Sequence, residues 1–313
     1  MYIGIDLGGT NIAVGVVDET GRILKTDSTP TNKERGYTDI VADMAALAKK
    51  VIADAGLAET DIKGVGIGCP GSVDSKNGIV VYANNLKMEH TPVAAEFKSH
   101  WDLPVTLIND ADAAALGEYK MTAPDAESFV FMTLGTGVGG GVVIDGKLVR
   151  GCNGAGGELG HFCIEVDGKP CTCGTRGCLE CYASVTALIE QTEEKMAACP
   201  DSNMHEWVKA KGKVSGRTAF ECAKMGDKAA IEVRDRYLHY VAIGVNSLIN
   251  IFQPNVFAIG GGISREGDTL LTPIKEFVKK NNYNKYMVET ELRIATLFND
   301  AGIIGAAFAA ADA

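Results

Sequence analysis

An excess of basic charge is the first thing this sequence lacks. Lys and Arg number 30 against 40 Asp and Glu, for a formal net charge of −10. The basic residues are scattered, which disfavours the phosphate-backbone attraction on which nucleic-acid binding without sequence reading depends. Long apolar runs are missing too. None reaches the roughly 18 residues of a membrane span, and the N-terminal MYIGIDLGGT has no basic segment leading into an apolar one. The expectation is a cytoplasmic protein with neither a membrane nor a nucleic acid as partner. No Gly-Lys-Ser/Thr follows a glycine turn, and neither glycine stretch carries a dinucleotide fingerprint with its downstream acid, so P-loop and Rossmann sites are excluded. Disulfide staples are not expected either. Nine cysteines leave one over, and a chain of 313 residues, 46% hydrophobic and 22% charged, can bury a core without them.

What is present is a repeat. IGIDLGG and NIAVGVVD read as two strands joined by a glycine turn, with Gly21 as a second turn. From Asp39 to Ala55 the apolar spacing is helical and Gly56 ends it. Gly64 to Gly68 reads as a buried strand running into Cys69, Pro70 and Gly71. Val105 to Ile108 is a short strand that delivers Asn109 and Asp110, and a helix over Ala113 to Met121 follows. At Phe129 the opening pattern returns as FVFMTLGTGVGGGVVIDGKLV, with Gly141, Val142, Val143 and Asp145 standing for Gly15, Val16, Val17 and Asp18. An internal duplication implies two α/β halves with ligands bound in the cleft between them. The domains are placed at 1–120, joined by the C-terminal helix 301–313, and at 121–300, with a loop rich in Gly and Cys over 157–181. Helices are expected over Val185–Ala197, Lys228–Phe252 and Thr269–Lys280. Strands are expected over Val256–Ile259 and Arg293–Phe298, with a small-residue helix over Ile303–Ala311.

Several constellations carry chemistry. Asp6, Leu7, Gly8, Gly9 and Thr10 lie between two strands, where glycines let N–H groups approach an anion and Thr10 adds a hydroxyl. Asp6 would repel phosphate unless Mg²⁺ or its hydrating water stands between them; the alternative is a hairpin whose glycines only turn the chain. Thr133, Leu134, Gly135, Thr136 and Gly137 repeat the arrangement, and Gly260, Gly261 and Gly262 follow a strand where the backbone can lie flat against a nucleoside. Asp110, at the end of a buried strand, is either a general base for a sugar hydroxyl or the N-cap of the next helix, a role for which Asp112 competes. Glu158, His161 and Glu180 flank the cysteine cluster and suit sugar hydroxyls, although each carboxylate taken alone is as readily a solvated loop charge. Cys171, Cys173 and Cys178 with His161 make a Cys₃His set suited to structural Zn²⁺, with Cys181 as a competing thiol. Cys69, Cys152, Cys163, Cys199 and Cys222 read as unligated thiols, and His90, His100, His205 and His239 have no partner pattern.

Together these segments resemble the ROK family of sugar kinases and repressors within the actin-like ATPase superfamily. The signposts are IGIDLGGTN at 3–11, GIGCPG at 66–71, NDADAAALGE at 109–118, LGTGVGGG at 134–141, GELGH at 157–161, CTCGTRGCLE at 171–180 and IGGGIS at 259–264. The cysteine cluster and GELGH look most like the family's bacterial glucokinases. The resemblance implies a duplicated actin-like (ribonuclease H-like) α/β fold and ATP-dependent phosphorylation of a hexose 6-hydroxyl, with glucose as the hexose and N-acetylmannosamine, fructose or allose as alternatives. It makes Asp110 the base and gives Gly71, Asn85, Asn109, Glu158, His161 and Glu180 to the sugar. Asn11 and Thr133 join Asp6, Gly8, Gly9, Thr10, Gly135, Thr136, Gly137, Gly261 and Gly262 at ATP and Mg²⁺, and His161 joins Cys171, Cys173 and Cys178 at zinc. It further implies a homodimer. A sugar-sensing repressor of the family would carry a helix-turn-helix before the first strand, where only Met1 and Tyr2 stand.

Overall fold

The computed structural model describes residues 1–286 and 288–313. It divides into two compact units, one of Met1–Phe131, Gly140–Gly157 and Thr296–Ala313, the other of Met132–Gly139 and Glu158–Ala295. Residues 121–131 and 140–157 thus lie with the first unit, whereas the sequence reading gave 121–300 as one block.

The strands and helices, in chain order, are β1 (Tyr2–Leu7), β2 (Asn11–Val17), β3 (Ile23–Pro30), α1 (Tyr37–Asp54), β4 (Gly64–Cys69), β5 (Ser72–Asp74), β6 (Ile79–Ala83), β7 (Met88–Thr91), α2 (Val93–His100), β8 (Val105–Asn109) and α3 (Asp110–Thr122). The second pass begins with β9 (Ser128–Leu134), β10 (Val138–Ile144) and β11 (Lys147–Leu148). It continues through α4 (Glu180–Ala183), α5 (Val185–Ala198), α6 (Met204–Lys211), α7 (Gly216–Lys224), α8 (Lys228–Phe252), β12 (Val256–Gly260), α9 (Asp268–Asn281), β13 (Glu291–Ile294) and α10 (Ala301–Ala311).

One five-stranded sheet runs β3-β2-β1-β4-β8 and the other β11-β10-β9-β12-β13. Counted from the first strand of each pass, both have the order 3-2-1-4-5, which is the structural form of the duplication seen in the glycine turns. In the first sheet β1 pairs antiparallel with β2 and parallel with β4, and β4 pairs parallel with β8. A small antiparallel sheet, β5-β6-β7, stands apart and has no counterpart in the sequence reading.

The period of β1 explains its packing. Ile3, Ile5 and Leu7 point one way into a core with Ile40 and Met44 of α1 and Ile67 of β4. Gly4, on the alternate face, pairs with Gly15 on β2 and Gly66 on β4, so a row of glycines crosses three strands. α10 lies on that row backbone to backbone. A methyl at Gly4 would sit 1.9 Å from the Ile303 carbonyl oxygen, and one at Gly66 would sit 1.7 Å from that of Ala306. Gly66→Ala is therefore expected to destabilise the protein by about 1–3 kcal/mol or more through overpacking against immovable backbone, read as a lowered Tm with glucose and ATP absent.

Two helix and strand boundaries differ from expectation by three residues or more. α3 begins at Asp110 rather than Ala113, because the Asn109 side chain caps it, accepting from Ala111 N at 2.8 Å and Asp112 N at 3.1 Å. The last strand stops at Ile294 instead of reaching Phe298. There the buried Glu118 carboxylate draws the chain off the sheet, accepting from Thr296 N at 2.7 Å, Thr296 Oγ1 at 3.1 Å and Leu297 N at 3.0 Å. In the second unit the long α8 is capped by Asp227, which accepts from Ala230 N at 2.8 Å.

Candidate active site

Asp6 sits next to the last residue of β1, and the chain turns back at once into β2. Gly8 N donates to the Asn11 carbonyl at 3.0 Å and closes this turn, so that N–H is already used. Thr31 ties the turn down, its N donating to the Thr10 carbonyl at 2.8 Å and its Oγ1 to the Gly8 carbonyl at 2.6 Å. Gly9 and Thr10 are left at the apex as the donors for an anion, with Thr10 and Asn11 exposed. Asn85, exposed on the 3-10 turn Asn84–Leu86, has its Cβ 3.5 Å from where a Gly9 side chain would begin.

The parallel strands β1, β4 and β8 carry Asp6, Gly68, Cys69 and Asn109 to their C-terminal ends, the edge where α/β sheets present ligand-binding groups. Asp110 follows as the first residue of α3. Neither it nor Asp112 caps that helix. Asp110 Oδ1 accepts from the adjacent Ala111 N at 2.8 Å, and Asp112 is buried with its Oδ2 3.7 Å from Arg150 Nε. Burial, and then the charge of Asp110, push the Asp6 carboxyl up to about 6. Burial raises Asp110 as well, and it raises the neighbouring Cys69 thiol. Two acids kept from ionising freely beside one another are suited to a cation or to taking up a proton. The sign for activity follows: above pH 6 Asp6 is an anion, and below it is neutral. We expect kcat/KM to fall as pH drops through about 6, measured in buffers of constant ionic strength, and Asp6→Asn to remove that limb together with most of the activity.

Asn109 is more committed than the sequence suggested. Its Oδ1 takes two backbone donors and its Nδ2 donates to the Gly71 carbonyl at 3.0 Å, so one of its two amide hydrogens is already engaged. Gly71 itself has φ +89°, and a Cβ there would lie 2.1 Å from the Tyr82 carbonyl oxygen, so this turn accepts only glycine.

In the second unit the turn after Thr133 repeats the first. Gly135 N donates to the Gly137 carbonyl at 3.0 Å, and α5 holds the turn from below through Val185 N to the Gly135 carbonyl at 2.8 Å and Thr186 Oγ1 to the Thr136 carbonyl at 2.7 Å. Glu180, the first residue of α4, reaches this turn: its Oε2 accepts from Val138 N at 2.9 Å, and a Cβ on Gly137 would lie 2.3 Å from that oxygen. The glycine triplet is brought to the same place, since Gly261 has φ +86° and passes 2.2 Å from the Leu134 carbonyl oxygen at its virtual Cβ, while Gly262 faces open space. Glu158 is exposed, and its carbonyl accepts from His161 N at 3.1 Å.

The Cys/His set converges. The ligand atoms of His161, Cys171, Cys173 and Cys178 all lie within 4.8 Å of one another, with Cys171 Sγ 3.6 Å from His161 Nδ1 and Cys173 Sγ 3.6 Å from Cys178 Sγ. Hydrogen bonds from the Thr175 hydroxyl and N–H hold the Cys173 thiol down to about 6, the thiolate form a metal takes. Cys181 is outside the group. Its thiol points to the Pro170 carbonyl at 3.6 Å, and burial pushes it up to about 12. All nine cysteines are free. With Nδ1 turned to the sulfurs, His161 keeps Nε2 for another partner.

The ROK family pattern matches residues 2–313. This chain is a member of the ROK family. The glucokinase of Thermotoga maritima is 39% identical over 307 residues, covering 97% of this chain and 95% of that protein. The glucokinase of Halalkalibacterium halodurans is 35% identical, covering 97% and 93%. The solved structure of a ROK glucokinase from Streptomyces griseus, in complex with glucose and AMPPNP, is 34% identical and superposes with a TM-score of 0.85 over 100% of this chain and 99% of that one. The ROK fold, an actin-like sugar-kinase fold of duplicated α/β halves, is thus the fold of this protein. No helix among the described residues is long and apolar enough to cross a membrane. Sequence reasoning missed Glu118 and Arg150. Glu118 sits inside the NDADAAALGE signpost, where its position on the buried face of α3 was the available signal; Arg150 has no local pattern to mark it.

Proposed function

We propose that this ROK protein transfers the γ-phosphoryl group of ATP to the 6-hydroxyl of glucose. The observation that carries the reading is the pair of carboxyls, Asp6 and Asp110, at the strand ends beside one of two repeated glycine turns, in a chain 35–39% identical to bacterial glucokinases. Asp110 takes the proton of the 6-hydroxyl as that oxygen bonds to the γ-phosphorus; the bond from phosphorus to the bridging oxygen breaks, and ADP leaves with the electron pair. Asp110 suits this role because no capping duty occupies it.

Gly9, Thr10 and Asn11 in one turn, with Thr133, Thr136 and Gly137 in the other, hold the phosphates, and Gly261 and Gly262 lie along the nucleoside. Gly8 and Gly135 shape their turns, each spending its N–H within its own turn. Mg²⁺ supplies charge neutralisation at the phosphates, and the Asp6 carboxylate is the group that would orient its hydration shell. Asn109, Glu158, His161 and Glu180 take the remaining sugar hydroxyls, with Gly71 and Asn85 as neighbours of that site.

His161, Cys171, Cys173 and Cys178 hold a structural Zn²⁺. Tetrahedral zinc with its usual bond lengths sets S···S at about 3.8 Å and S···N at about 3.6 Å, against 3.6 Å for Cys173–Cys178 and 3.6 Å for Cys171–His161, with all four ligand atoms within 4.8 Å of one another. The protein works in the cytoplasm as a homodimer, early in glycolysis. A coupled assay specific for glucose 6-phosphate tests the reaction. Stoichiometric formation of that product and of ADP is expected; ADP without glucose 6-phosphate contradicts the reading.

A further inference from the structure

The wall behind Asp6 is the first turn of α10. The three atoms that a side chain built on Gly302 would meet first all belong to Asp6: Oδ2 at 3.0 Å, Cγ at 3.1 Å and Cβ at 3.5 Å. Three features prevent this turn from retreating. Glu118 grips Thr296 and Leu297, a few residues before the helix begins, through three hydrogen bonds of 2.7, 3.1 and 3.0 Å. Gly117 and Gly305 let α3 and α10 touch backbone to backbone, with virtual Cβ positions 2.4 Å from the Ala301 carbonyl oxygen and 1.6 Å from that of Ala113. The glycine row of β1 and β4 fixes the helix from a third side at Ile303 and Ala306. The movable partner in the contact is therefore the carboxylate.

We propose that Gly302 is a positioning residue for Asp6: its bare Cα, on a helix start clamped by Glu118, sets where the Asp6 carboxylate stands when Mg·nucleotide binds. The inference rests on the reading of Asp6 given above and adds the element that aims it. α3 enters the same arrangement from the other side, since the helix that carries Asp110 at its head also carries Gly117 and Glu118. One packed pair of helices thus places both acids. A methyl at position 302 meets that carboxylate first and displaces it by a few tenths of an ångström.

Gly302→Ala separates this role from a structural one, because alanine is the better helix former and the helix itself is not weakened. We expect a Tm equal to or above that of the unaltered protein, glucose binding by calorimetry unchanged, and weaker binding of Mg·ADP. kcat should fall by about tenfold, the scale of a sub-ångström misplacement of a reacting group. Glu118→Gln, which sets an amide N–H₂ against Leu297 N, should show the same loss of Mg·ADP affinity, accompanied by a lower Tm. Gly302→Ala with unaltered Mg·ADP affinity and kcat, in a series where Asp6→Asn loses both, overturns the positioning role alone. If Asp6→Asn also leaves both unaltered, the reading of Asp6 falls with it.

Discussion

Asp110→Asn lowers kcat by about 10² to 10⁴, the usual contribution of a general base, and leaves glucose binding close to that of the unaltered protein. The variant should fold normally. α3 is capped by Asn109, whose bonds to Ala111 N and Asp112 N do not involve the altered side chain, and an asparagine Oδ1 can still accept from Ala111 N. What is lost is the ability to take the proton of the 6-hydroxyl. A second effect has the opposite sign. The Asp110 charge contributes to the raised value of Asp6, so its removal lets Asp6 ionise at lower pH, and the acid limb of the residual activity should move down from about 6. Steady-state kinetics across pH, with calorimetry for glucose, reads both changes. A kcat near that of the unaltered enzyme contradicts Asp110 as base.

Removing the metal is expected to cost nearly as much. Cys178 is wholly buried and its Sγ lies 3.4 Å from the His161 carbonyl oxygen, so an ion held there would fasten His161 to Cys178, next to Glu180. Glu180 in turn holds Val138 N, at the edge of the second glycine turn. Cys178→Ser should abolish stoichiometric zinc in elemental analysis, lower Tm, and raise KM for glucose by about 10- to 100-fold, the range seen when groups that orient a site are removed. Prolonged chelation of the unaltered protein should act in the same direction, with recovery on adding Zn²⁺. Fully active protein that contains no metal would contradict the assignment.

Much of this was legible in the chain. The glycine turns announced themselves twice, and the duplication they implied reappears as two sheets of the same strand order. The Cys₃His set was legible because ligands must crowd to reach one ion, and four ligand atoms do so. The rest depended on contacts distant in sequence. Asn109 as the cap of α3 was hidden by two neighbouring residues, Asp110 and Asp112, with equal local claims. The end of β13 is set by Glu118, 178 residues away from Thr296 in sequence, and no local pattern at Arg293–Phe298 records that pull. α6 and α7 are short and sit in a run rich in Lys and Gly, where periodicity is weak. Glu180 looked like a sugar ligand alone; its second task, at Val138, exists only once α4 is folded against the turn.

The central claim is the sugar kinase reaction with glucose preferred, and the direct measurement is ADP release over a panel of glucose, N-acetylmannosamine, fructose, allose and a sugar-free blank. The account predicts sugar-dependent release with the highest kcat/KM on glucose. ADP release unchanged by any sugar, or a higher kcat/KM on another hexose, would contradict it.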